Sequence, residues 1–149
     1  MLIDRIECIV YADLSHKKKE NYNFHKVSAV LAEYGFNCIK LSDDWEGADF
    51  LAHHDLVTLK VQLKARITIS KKYLNKNLYI IFPLDDSNLK SDWCLIKHDL
   101  LVDIIREHNN WLNTSSWIKK GLYHSAKAPK EILPYLEKYI VNTKKFLNL

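Results

Sequence analysis

Glycine is scarce in this chain, with three in 149 residues, at Gly35, Gly47 and Gly121. That excludes a phosphate-cradling loop, which needs several glycines close together. Proline is as rare, at Pro83, Pro129 and Pro134, and no Pro-, Gly- or Ser-rich linker or internal repeat divides the chain. Cys8, Cys38 and Cys94 are odd in number, far apart in sequence, and form no C-x-x-C pair. They read as free thiols in a reducing compartment rather than a disulfide framework, and their spacing supports no zinc site. No apolar run approaches the roughly 20 residues needed to cross a bilayer. The first residues, Met1 to Glu7, carry early acids and no signal-peptide core. The expectation is a cytoplasmic protein with no membrane partner.

What is present suits one globular domain. Hydrophobic residues make up 48% of the chain, enough to build a core, and charged residues 27%, enough to keep its surface wet. The net charge is +4 and the pI about 8.8, a balance that permits nucleic-acid binding without requiring it. Lysines cluster at Lys17-Lys18-Lys19, Lys119-Lys120 and Lys144-Lys145. A longer series, Lys60, Lys64, Arg66, Lys71, Lys72 and Lys76, runs through one expected strand and its continuation. Its alternating members share a face, which makes Lys60, Arg66, Lys71, Lys72 and Lys76 candidate contacts to a DNA backbone.

Periodicity places the elements. Residues 2–14 are ambiguous between a short helix and a strand. A helix over Lys17–Glu33, capped by Ser15 or Asp13 and stopped at Gly35, buries Phe24, Val27, Leu31 and Tyr34. Glu20 extends that stripe by one turn, and a carboxylate there wants a partner. Asn37–Leu41 reads as a strand, and 42–47 as a polar link in which Asp43 and Asp44 make turn hydrogen bonds. Leu78–Leu84 is an almost unbroken apolar run, the mark of a central strand. A short strand at Trp93–Ile96 and a helix at His98–His108 follow. Asn109–Trp117 reads as a loop exposing Trp111 and Trp117, which suit DNA contacts, subunit contacts or ordinary packing. Ile132, Leu133, Leu136, Tyr139 and Ile140 suggest a last helix. One helix, several strands and a further helix predict an α/β layer fold with a mixed sheet.

The chemistry gathers on a hairpin. Residues 47–52 and 59–66 alternate apolar and polar, as half-buried strands do. His53–Thr58 between them is short enough for a tight antiparallel turn; its two adjacent histidines point to opposite faces and make no metal cluster. If the turn is centred on Asp55-Leu56, paired positions sum to 111, and Asp49 faces Gln62 across roughly 5 Å. Lys64 lies one strand step further along the same face. A carboxylate, an amide oxygen and an ammonium then converge, a set suited to metal-assisted attack on a phosphodiester.

Asp49 followed thirteen residues later by Gln62-Leu63-Lys64 resembles the active-site hairpin of the PD-(D/E)XK, or restriction-endonuclease-like, nuclease superfamily. Ala48 stands where that pattern has proline, and Gln62 where it usually has an acid, which removes one formal charge from a metal site. Length, hairpin and the Gln-X-Lys form look most like a bacterial intron-encoded homing endonuclease, over Ile3 to about Asn110. The resemblance implies a mixed β-sheet flanked by helices in a single domain, 1–149, with 109–149 an extension for DNA or subunit contacts. It implies catalytic roles for Glu20, Asp49, Gln62 and Lys64, and Mg²⁺, or Mn²⁺ in its place, held by Asp49, Gln62 and the carbonyl of Leu63. The implied partners are double-stranded DNA and further copies of the chain, a dimer or tetramer, located on the bacterial nucleoid when bound. A restriction-like or junction-resolving nuclease, or an inactive DNA-binding module of the same fold, are the alternatives.

Overall fold

Ser15 is extended, and its hydroxyl oxygen accepts the Lys18 amide at 3.3 Å, which starts α1, His16–Ala32. The structure is a computed structural model that describes residues 5–142. The helix closes at Gly35, whose φ is 83°, with the Gly35 and Phe36 amides turned back onto the carbonyls of Ala32 and Leu31. Glycine reaches this left-handed conformation at little cost. The buried stripe is as expected: Val27 and Leu31 are fully buried, with Phe24 and Tyr34 packed beside them.

An antiparallel meander follows: β1 (Asn37–Trp45), β2 (Ala48–His54) and β3 (Val57–Leu63). Phe50 pairs with Val61 and His54 with Val57, so the hairpin has the expected register. After β3 come β4 (Ile67–Ser70), β5 (Leu78–Pro83), β6 (Trp93–Lys97), α2 (His98–His108), β7 (Leu122–Ser125), α3 (Leu133–Leu136) and β8 (Ile140–Val141). The main sheet has the order β1-β2-β3-β5-β6-β8, mixed because β3 and β5 run parallel while the other neighbours are antiparallel. Strands β4 and β7 form a separate two-stranded sheet.

Both faces of the main sheet are covered. On one side α1 packs Val27 and Leu31 against Phe50, Ala52, Val61 and Ile81. On the other, Leu101, Val102 and Ile105 of α2 join Ile80, Phe82, Cys94 and Ile96. Strand β5 thus sends Ile80 and Phe82 to one core and Ile81 to the other, which is why its sequence is apolar at every position. The mixed sheet flanked by helices that the resemblance implies is what the chain forms.

Five expectations change. The stretch Arg5–Val10 has no regular structure and Tyr11–Asp13 is a single 3₁₀ turn, so neither the helix nor the strand forms there. Strand β1 continues to Trp45, so Asp43 and Asp44 lie on a strand and the link shrinks to Glu46-Gly47, with φ of 52° and 90°. The expected strand through Arg66 ends at Leu63, because the chain leaves the main sheet to build β4. Trp111 and Trp117 are not displayed: they are 5% and 7% exposed, inside the α2 core. The last helix is one short turn, α3, then a 3₁₀ turn, and β8 at the sheet edge against β6. There Ile132 and Leu136 fill the α2 core while Val141 packs beside α1, so one apolar run serves both sides. From this segment Trp111, Trp117, Ala128, Ile132 and Leu136 therefore belong to the α2 core. The Ile3 limit of the resemblance, the Lys144-Lys145 cluster and the rest of the expected extension to 149 lie outside the described residues.

Candidate active site

The sheet places a cleft where the first turns of α1, the end of β1 and the open end of the β2–β3 hairpin meet. Its volume is about 400 Å³, and Glu20, Asp49, Gln62, Leu63 and Lys64 all line it. The hairpin register puts Asp49 and Gln62 one step beyond the Phe50–Val61 pair. The Asp49 carboxylate then reaches across to the backbone of β3, where Oδ2 accepts the Leu63 amide at 2.8 Å. Immediately after Leu63, the Lys64 amide donates to the Ile81 carbonyl at 2.9 Å, so the lysine leaves β3 anchored to β5.

Burial raises the Asp49 carboxyl above the ordinary range; the Leu63 amide and the Lys64 charge pull it back, while Asp44 and Glu20 push it up further. Burial lowers the Lys64 ammonium, with Asp49 and Asp44 opposing. An acid raised and a base lowered, side by side in a cleft, is a pattern concentrated at functional sites. Glu20 is half-exposed and lies near His16 at 3.4 Å and Lys17 at 3.6 Å, on the cleft wall rather than in the buried stripe.

Among the described residues no group of three or more His, Cys, Asp or Glu side chains is close enough to hold a metal. A cation here would depend on Asp49 together with an amide and a backbone carbonyl, all hard oxygen donors. Gln62 makes no side-chain hydrogen bond among the described residues, so its amide oxygen is uncommitted. Mg²⁺ binds through few protein oxygens and keeps much of its water, so this set fits it. The like charges of Asp44 and Glu20 acting on Asp49 would also be relieved by a cation.

The basic series is dispersed. Lys60 pairs with Glu46 and also donates to the Lys76 carbonyl at 3.0 Å; Arg66 binds Asp86 at 2.6 Å. Lys71 stands over Trp117 and Lys72 over Tyr73, at 5.5 and 5.0 Å from the ring centres. None of Lys60, Arg66, Lys71, Lys72 or Lys76 lines the cleft: Lys60, on β3, is turned to Glu46, and the other four lie past Leu63, where the strand stops. The basic residues that do line it with Lys64 are His16, Lys17 and Lys40. The first two were legible only as the start of a basic helix, and Lys40 as an outward strand residue. Asp43 and Asp44 also line the cleft, and Asp44 still makes the turn bond expected of it, Oδ1 accepting the Gly47 amide at 2.7 Å.

No protein-family model and no curated protein sequence matches the chain. Among solved structures it is similar to a bacterial homing endonuclease, I-Ssp6803I, with a TM-score of 0.48 and 13% identity over 91% of each chain. It is also similar to Hjc, a Holliday junction resolvase from the archaeon Archaeoglobus fulgidus, with a TM-score of 0.43 and 12% identity over 55% of this chain and 75% of that one. At these values the likeness carries no argument about activity. The chemistry of the cleft has to do so.

Proposed function

We propose that this chain is a Mg²⁺-dependent DNA endonuclease, of the homing type that its Gln-X-Lys hairpin resembles. The observation that carries the reading is the Asp49 carboxylate, fixed on the Leu63 amide at 2.8 Å in a cleft shared with Gln62, Lys64 and Glu20. Asp49, Gln62 and the Leu63 carbonyl would hold the cation, which when bound supplies neutralising charge at the scissile phosphate. Lys64 offers its ammonium to the negative charge that develops on the phosphate oxygens. Gln62 presents an amide that can orient a water, and Glu20, which lines the same cleft, would hold a second metal ion or orient the first through water. Lys17 and Lys40 give the cleft mouth the positive charge that a DNA backbone requires. Double-strand cleavage on this reading takes two copies of the site, hence a dimer or tetramer; the compartment is the cytoplasm, at the nucleoid.

The test is cleavage of long linear, supercoiled and four-way-junction DNA with Mg²⁺ or Mn²⁺. Asp49→Ala and Lys64→Ala should each lower the rate by about 100- to 1000-fold, the usual loss of a charge-stabilising group, with DNA affinity largely kept. Wild-type cleavage by either variant removes the catalytic assignment. Replacement of the usual acid by Gln62 favours one second reading, a DNA-binding module without activity. Salt-dependent DNA binding with no cleavage of any substrate would select it.

A further inference from the structure

Lys64 enters the cleft with no carboxylate to hold it. Its ammonium makes no ion pair within 4.0 Å and no side-chain hydrogen bond among the described residues, although Asp49 and Asp44 act on its charge from further away. The close partner it has is aromatic: the ammonium stands over the Tyr73 ring, 5.4 Å from the centre. A half-buried lysine on a flexible four-carbon stem is poorly placed without such a partner, because desolvation penalises its charge and free rotation blurs its position.

The Tyr73 ring is itself held from several sides. It is 4% exposed and packs with Ala48 and Leu78 beneath the β1–β2 turn. The imidazole of His98, at the start of α2, meets it edge to face with ring centres 5.5 Å apart. Gly47 lies against the ring so closely that a Cβ there would stand 3.2 Å from Cδ1. The same glycine, at φ 90°, forms the turn that leads into Asp49.

We infer that Tyr73 is the positioning residue for Lys64, holding the ammonium in the cleft through its ring; this deepens the nuclease reading and rests on it. A carboxylate partner would neutralise the lysine and occupy its N–H donors. An aromatic face attracts the cation while leaving those donors free for phosphate oxygens. It also leaves Asp49 uncommitted to an ammonium and available to a divalent cation. The hydroxyl has no part in this, so phenylalanine should serve as well. Lys72, at 5.0 Å from the same ring centre but outside the cleft, is the one competitor the test must separate.

The first readout needs no activity. In protein labelled with ¹³C at lysine Cε, the Lys64 ε-methylene, assigned by its loss in Lys64→Arg, should resonate upfield of ordinary lysines from the ring current of Tyr73. The shift should survive Tyr73→Phe and Lys72→Met and vanish in Tyr73→Leu. An ordinary Lys64 shift in the wild type overturns the inference without any variant having to fold. The second readout is kinetic. Tyr73→Leu should lower kcat by about 2- to 30-fold, the range of one cation–π contact, with KM little changed and Tyr73→Phe close to wild type. Equal loss in Tyr73→Phe and Tyr73→Leu would assign the effect to the hydroxyl and overturn the inference. A protein with the upfield shift that cleaves no DNA loses the nuclease reading but keeps this placement. A protein that cleaves DNA without the shift loses the placement alone.

Discussion

Burial works against the charged form of the Asp49 carboxyl. Its pKa is raised in the fold, so its contribution to stability is present below the ordinary carboxylate range and is lost as pH rises through the folded value. At pH 7 the charge is therefore a cost to the fold, of the kind active sites accept. Asp49→Asn keeps an oxygen for the Leu63 amide and removes that cost. The unfolding midpoint of this variant at pH 7, measured by calorimetry without metal, should be higher than wild type while cleavage is lost. A lower midpoint would mean that the charge itself stabilises the hairpin. His98 works in the opposite sense. Its Nε2 accepts the Ser70 amide at 3.1 Å, so the proton of the neutral ring is on Nδ1, which is buried without a hydrogen-bond partner among the described residues. Asp99 Oδ1 is 3.8 Å away, too far to bond. Burial lowers the ring's pKa to about 4, with Asp99 opposing. A lowered value gives stability that is complete above the ordinary 6.5 and falls as pH drops toward about 4. This group should remove roughly 3 kcal/mol over that window, partly offset by Asp49. Urea titrations should show the decline, and His98→Gln should flatten it.

Among the elements, α1 matters most to the site, because one of its faces covers the sheet and its first turns wall the cleft. Its start depends on Ser15. Ser15→Ala should cost about 1 kcal/mol. Amide exchange should quicken in the first two turns, around Glu20, and stay unchanged in α2. Equal quickening in both helices would show that the cap supports the whole fold rather than the cleft wall. The elements whose residues answer to one environment were readable beforehand. The 3.6-residue stripe of α1, the alternation that pairs Phe50 with Val61, and the all-apolar β5 each follow from how many of their faces are buried. The end of β3 was not readable. Lys64, Ala65 and Arg66 continue the alternation, but Lys64 turns its amide to Ile81 and the chain departs for β4. Period 2 records which side a residue faces and not how far the ladder runs.

At the scale of the molecule, the second half of the chain is what the first half folds against. Trp111 and Trp117, Ile132 and Leu136 complete the core under α2, β7 pairs β4, and β8 closes the sheet beside β6. A chain ending at Asn110 should lack a cooperative unfolding transition and near-ultraviolet dichroism. The loss of buried tryptophans alone typically costs about 3 to 5 kcal/mol each, against a total stability of about 5 to 15 kcal/mol. A folded, cooperative product would show that 109–142 is an addition after all. The sequence left the tryptophans open between surface contact and packing, because composition marks Asn109–Trp117 as polar. Two large rings in a polar stretch are placed by the cavity available to them, and that cavity is made by distant strands.

By itself the sequence determined the hairpin: its turn, its register and the nearness of Asp49 to Gln62 all follow from alternation between residues a few positions apart. It also determined the two principal helices and the central strand, for the same local reason. Only the tertiary structure decided what surrounds that hairpin. It gathered Asp44 and Lys40 from β1, His16 and Lys17 from α1, and Tyr73 beneath Lys64, while sending Lys60 to Glu46 and Arg66 to Asp86. A charge in a sequence has a sign but no partner until elements far apart in the chain pack together, and burial and distance then set what that charge can do.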